Sequence, residues 1–160
     1  MTIAPKLSRY LAEQGADFEL IAHDPTRTAI ETARVCQVPA GQMAKAVLID
    51  TEEDYLLAVL PANRRVELAE VRSELGLRSH LAVEKELTFL FDDCEFGAVP
   101  PIGASYGVTT IVDECLDSEP DVYFEGGDHA SLIHMSGAEF ARLTRQARRG
   151  QISQQRTTMN

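Results

Sequence analysis

Between a run that reads as helix and a run that reads as strand lies GAVPPIGASYGV, residues 97–108, which sets two adjacent prolines among Gly97, Gly103 and Gly107. Pro100 and Pro101 each fix φ and give up an N–H, and Pro101 pushes Pro100 towards an extended conformation. Val99 to Pro101 is therefore expected to be a stiff span with few backbone donors. The glycines can take positive φ and admit a close approach of another backbone or a ligand. A rigid span between flexible corners suits either a tight chain crossing or one wall of a binding site.

The flanking sequence supplies mixed elements. Ile3, Leu7, Tyr10 and Leu11 mark one face of an N-terminal helix that Gly15 stops, and FELIAH (18–23) reads as a strand. Thr28 and Glu31 form a capping-box pattern opening a helix that runs to about Cys36. KAVLID (45–50) and YLLAVLP (55–61) are apolar strands joined by the acidic turn TEED, a predicted hairpin. Leu68, Val71 and Leu75 lie at helical spacing with Gly76 as stop, and LAVEKELTFLF holds a short helix. TTIVD, DVYFEGG and SLIHMS read as strands, GAEFARLTRQARRG as a closing helix, and residues 151–160 as a polar, frayed tail. That order is neither strictly alternating βαβ nor all-β, so an α+β domain over residues 1–150 with a mixed, mostly antiparallel sheet is expected.

At 160 residues, with 44% hydrophobic and 25% charged, the chain has the size and balance of one globular domain. No apolar run approaches the roughly 18 residues of a membrane span, and the N-terminus lacks the charged-then-apolar order of a signal peptide, so a cytoplasmic protein without membrane partners is expected. Cys36, Cys94 and Cys115 are an odd number with no C-x-x-C spacing, which indicates neither a disulfide framework nor a cysteine metal site. The net charge of −10 is uneven: residues 1–140 carry 10 basic and 25 acidic residues, whereas residues 141–160 carry five arginines and no acid. Such an end is either an electrostatic footprint for a polyanion or a helix whose last turns favour cations, followed by a solvated tail.

Familiar catalytic patterns are missing: there is no G-x-G-x-x-G after a strand, no phosphate loop, no G-x-S-x-G and no H-E-x-x-H. His23, His80, His129 and His134 are too dispersed for a local metal motif, so neither a metal nor another cofactor is expected. Asp92, Asp93 and Glu95 read as a solvated acidic cluster more readily than as an acid/base pair. Lys45 opens an apolar strand, where its stem lies along the core and its ammonium emerges at the strand end. By periodicity alone it is a snorkelling edge lysine.

The order MAKAVLID, LLAVLPANRRVEL, FGAVPPIGASYGVTTIVD and VYFEGGDHASLIHMSGAEFARL resembles the YbaK/ProX family, the prolyl-tRNA synthetase-associated editing domain, from about Ile3 to Thr144. The signatures are a lysine opening a core strand, a G-x-x-P loop followed by a second glycine, and a GG turn leading into the last strand and helix. The resemblance implies a barrel-like mixed sheet flanked by helices, and hydrolysis in trans of mischarged aminoacyl-tRNA of the alanyl- or cysteinyl-tRNA(Pro) kind. It implies that Gly97 to Pro100 form a wall of the aminoacyl pocket, with Gly97 and Pro100 at the reacting ester and Lys45 as the essential cation. Water, assisted by the tRNA's own vicinal hydroxyl, is then the attacker. Gly103, Gly126, Gly127 and His129 are carried over as substrate-binding, and Arg145, Arg148 and Arg149 as tRNA-binding. Asp128 and His129 stand where some relatives have basic residues, which leaves the aminoacyl group open. An aminoacyl-tRNA synthetase is a candidate partner, and the acidic bulk argues against DNA or broad RNA affinity. The alternatives are a module that binds an aminoacyl or nucleotide group without turnover, and a regulatory partner of a synthetase.

Overall fold

A computed structural model describes residues 3–76 and 78–155. Helix α1 (Pro5–Glu13) begins on a proline, whose missing N–H costs nothing in a first turn, and buries Leu7 and Leu11 one turn apart. Strand β1 (Glu19–Ala22) follows, then α2 (Ala29–Val35), capped as expected by the Thr28 hydroxyl, which accepts from the Glu31 amide at 3.2 Å. The expected hairpin of β2 (Ala44–Thr51) and β3 (Tyr55–Pro61) forms, with Asp50 opposite Tyr55. Next come β4 (Arg64–Val66), α3 (Leu68–Leu75) ended by left-handed Gly76, β5 (Ser79–Leu81) and α4 (Glu84–Leu90). The chain closes with β6 (Thr109–Asp113), β7 (Asp121–Glu125), β8 (Ser131–Ser136), α5 (Gly137–Leu143), β9 (Arg148–Gly150) and β10 (Ser153–Gln155).

The strands form a five-stranded sheet in the order β5-β2-β3-β6-β9, a three-stranded sheet β1-β8-β7 and the pair β10-β4. Among the named strands of the described residues, only β3-β6 and β6-β9 pair in parallel, so the fold is mixed α+β and mostly antiparallel. The barrel-like closure expected from the resemblance is not present. Both edges of the large sheet are three-residue strands, and an isolated bridge between Met43 and Tyr123 joins it to the three-stranded sheet, so no continuous ladder closes the ring.

Alternation along β3 explains its unbroken apolar run. Leu57 and Val59 face the main core with Phe124, Ile133, Leu7 and Phe140, while Leu56 and Ala58 face a second core with Ile111, Val71 and Ile152. A strand covered on both faces has no polar face to show.

Two expectations at the C-terminal end are corrected. The closing helix stops at Leu143 rather than Gly150: the Thr144 hydroxyl donates to the Phe140 carbonyl at 2.7 Å, and residues 148–150 gain backbone partners as β9 beside β6. Residues 151–155 belong to the fold rather than to a frayed tail. Ile152 is fully buried, and the Asp113 carboxylate accepts from the Ile152 amide at 3.1 Å and the Ser153 hydroxyl at 2.6 Å. The remainder of the expected tail, with Arg156, lies outside the described residues.

Candidate active site

The glycine-proline stretch has two parts. Residues 100–103 run buried through the core, Ile102 entirely so, and Gly103 packs so tightly against the start of β6 that a Cβ would lie 2.6 Å from the Val108 carbonyl oxygen. That part is a chain crossing. Gly97 is the exposed corner: its φ is +86°, and a Cβ there would lie 2.8 Å from the Arg27 carbonyl oxygen and 3.1 Å from Cε1 of His129. Only a bare backbone fits that close approach to the protein's own chain.

The exposed corner lines a cleft of about 330 Å³ that residues 44–48 of β2 also line. Lys45 and Gly97, far apart in sequence, both line it. Lys45 is half-buried at the head of β2, and its Nζ donates to the Ala62 carbonyl at 3.4 Å. The residues beside it are short or aliphatic, with Ala46, Val99 and Leu87 forming the apolar lining and Phe96 standing 60% exposed next to Gly97.

Glu125, the last residue of β7, lines the same cleft and was missed from sequence. It is 4% exposed, its Oε1 lies 2.9 Å from Nε2 of His23, and its Oε2 is buried without a hydrogen-bond partner. Burial pushes the Glu125 carboxyl above its usual range, an effect that His23, Thr32 and His129 only partly offset. Nδ1 of His23 faces the Asp24 carbonyl at 2.8 Å, an acceptor, so Nδ1 carries a proton. The carboxylate is illegible locally because its partner sits on the far side of the sheet, at the end of β1.

The other expected site residues distribute as follows. Pro100, Gly126, Gly127 and His129 are buried and are not among the described residues that line the cleft. Gly126 takes the Ala4 amide at 2.7 Å, and Gly127 takes the Glu95 amide at 2.8 Å. His129, at φ 60°, donates through Nε2 to the Phe96 carbonyl. Gly103, Arg145 and Arg148 line a separate, more polar depression of about 560 Å³. There Arg145 is exposed, its amide donating to the Arg142 carbonyl and its side chain making no hydrogen bond or ion pair among the described residues, Arg148 donates to the Glu74 carbonyl at 2.6 Å, and Arg149 is tied to Asp117 and to Thr144.

The acidic cluster is only partly solvated. Asp93 opposes its own burial by accepting from the Tyr106 hydroxyl at 2.6 Å, the Lys6 amide at 3.0 Å and the Cys94 thiol, which together hold its carboxyl below the usual range. It pins α1 to the turn after Gly103, and burial beside it pushes the Cys94 thiol up to about 12. That thiol is an inert packing group, not a nucleophile. Among the described residues no group of three or more histidine, cysteine or acidic side chains gathers as a metal site would, and no helix is long and apolar enough to cross a membrane.

Residues 23–143 match the family described as the aminoacyl-tRNA editing domain. The Multifunctional Ser/Thr-tRNA deacylase ProXp-y of Escherichia coli (strain K12) is 26% identical over 144 residues, covering 86% of this chain and 86% of that protein. A crystal structure proposed to be a trans-editing enzyme for prolyl tRNA synthetase has a TM-score of 0.83 at 24% identity, covering 94% of this chain and 96% of its own. The crystal structure of a hypothetical protein gives 0.83 at 24% identity, covering 93% and 99%. These two structures bear on the fold alone.

Proposed function

The chain belongs to the aminoacyl-tRNA editing domain family, and from that premise we propose that it is a deacylase that hydrolyses the ester of mischarged aminoacyl-tRNA in the cleft between Lys45 and Gly97. The observation that carries this reading is that both line one cleft, together with Ala46, Leu87 and Val99. An ester carbonyl becomes an oxyanion on attack, and fixed polar groups in a partly dry site stabilise it more than water does. The Lys45 ammonium supplies a fixed positive charge at the strand end. Gly97 lets the backbone come close where a side chain would block it. Water attacks, assisted by the vicinal hydroxyl of the terminal ribose, so no Ser-His-Asp arrangement is needed. Phe96 offers an exposed aromatic face beside Gly97 for the terminal adenine, whose stacking adds affinity without reading sequence.

For substrate, we read the cleft as suited to small aminoacyl groups. Alanyl- and cysteinyl-tRNA(Pro) are the candidates from the family resemblance, and seryl- and threonyl-tRNA from the name of the Escherichia coli relative. Arg145 is the arginine best placed to meet a tRNA phosphate, and a synthetase that supplies the mischarged tRNA is the proposed partner. The test is single-turnover deacylation of those four substrates by the purified protein with no synthetase present. Hydrolysis of at least one, lost in Lys45→Ala, supports the reading. Tight binding with no hydrolysis of any would instead make the chain a recognition module.

A further inference from the structure

Glu125 is the one carboxylate among the described residues that line the cleft, and half of it has nothing to do. Its Oε1 is engaged by His23, whose side chain is 3% exposed, while Oε2 is buried without a partner. Leaving such an acceptor unpaired is costly, and an anionic one more so. A well-packed fold keeps a group like this where a ligand completes it.

The proton arrangement fixes what kind of ligand that is. With Nδ1 of His23 donating to the Asp24 carbonyl, the contact between Nε2 and Oε1 holds a single proton on one side or the other. Either the imidazolium donates to a carboxylate, or the carboxylic acid donates through Oε1 to a neutral imidazole. In both forms Oε2 carries no proton and is an acceptor, so the missing partner is a donor. Its place is given by the cleft, which Glu125 lines together with Lys45 and Gly97.

We propose that Oε2 of Glu125 accepts from the α-amino group of the aminoacyl ester, making Glu125 a specificity residue that admits free aminoacyl groups and rejects N-acylated ones. This rests on the deacylase reading. The α-amino nitrogen is two bonds from the ester carbonyl carbon in every aminoacyl-tRNA, so one wall residue serves them all whatever the side chain. It is also a donor in both protonation states and cationic in one, which suits a carboxylate held in a dry site. An N-acyl group turns that amine into a bulky amide that keeps one N–H but can no longer carry a charge, as at the end of a peptidyl-tRNA. Such a cleft leaves peptidyl-tRNA alone.

The experiment compares alanyl-, cysteinyl-, seryl- and threonyl-tRNA with their N-acetylated forms, using wild type and Glu125→Gln in single-turnover hydrolysis. Wild type is expected to prefer the free amine by about a hundredfold or more, the size of a lost charge-assisted contact. Glu125→Gln, which keeps the shape and an acceptor for His23, is expected to lose most of that preference by slowing on the free-amine substrates. Equal wild-type rates on free and acetylated substrates, or an unchanged preference in Glu125→Gln, would overturn the proposal while leaving deacylation intact. No hydrolysis of any substrate would overturn both. Should Glu125→Gln fail to fold, calorimetry on wild type decides: a non-hydrolysable 3′-alanylamido-adenosine is expected to bind at least tenfold tighter than its 3′-lactylamido counterpart, and equal binding rejects the role.

Discussion

Nε2 of His129 donates to the carbonyl of Phe96, which ties the turn after β7 to the residue before Gly97. The corner of the cleft is thus held from behind by an imidazole and from the side by the Arg27 carbonyl, and Gly97 has no room to move away from a new methyl. Gly97→Ala is expected to lower stability by about 1–3 kcal/mol through its positive φ and the backbone contact. Deacylation should fall further, since the wall can yield only into the cleft. Melting curves beside single-turnover rates check this, and a variant that melts early but turns over normally when folded would leave Gly97 a purely structural corner.

Lys45→Ala removes a half-buried ammonium from a strand end, so the fold should lose about 1 kcal/mol or less. The deacylation rate should drop roughly a hundredfold or more if the charge sits at the ester. Lys45→Arg keeps the charge but not its point geometry and should restore activity only in part. Full activity in Lys45→Ala would return the lysine to an edge role.

The C-terminal arginines separate into different jobs. Arg149 bonds to Thr144 and Asp117, so Arg149→Gln should lower the melting temperature with little effect on tRNA affinity. Arg145 is exposed, and Arg145→Gln should raise KM for tRNA and reduce the salt slope of binding by about one, without a change in melting. Titrating tRNA affinity against salt for both variants distinguishes them.

Glu139 is held down to about 2 chiefly by Arg142, and then by the Asp17 amide, a contact that fastens α5 to the end of α1. A carboxyl depressed in the folded state contributes stability above its unfolded value, near pH 4.5, and that contribution is lost as pH falls towards 2. Glu139→Gln should therefore melt a few degrees below wild type at pH 7, with the gap closing between those two pH values. A gap that persists at pH 2 would assign the effect to packing instead.

Local signals carried the elements whose physics is local. The Thr28 cap, the left-handed stop at Gly76 and the TEED hairpin need only neighbours within a few residues, and all three are in place. The end of α5 was misread because a helical sequence pattern continues through Arg145 and Arg148, while the competing partner, β6, lies far away in the chain. The same holds at the site. Lys45 and Gly97 attract notice locally, as an odd residue in an apolar run and a clustered glycine, but only the family resemblance set them together, and both line the cleft. Glu125 attracts no such notice: a single acid ending a strand looks like any other until His23 is set against it across 102 positions.

Strand β9 has one further consequence. Its three residues lie parallel along the outer side of β6, with Asp113 clasping the chain immediately beyond. Without it, the ladder from Thr109 to Asp113 would offer a row of unmatched amides and carbonyls to any passing strand, including one from a second molecule. The segment that began as a basic tail thus acts as a guard against self-association. A chain cut after Thr144 is expected to run as aggregates in size-exclusion chromatography even where its cleft is untouched, because the edge of β6 would stand open.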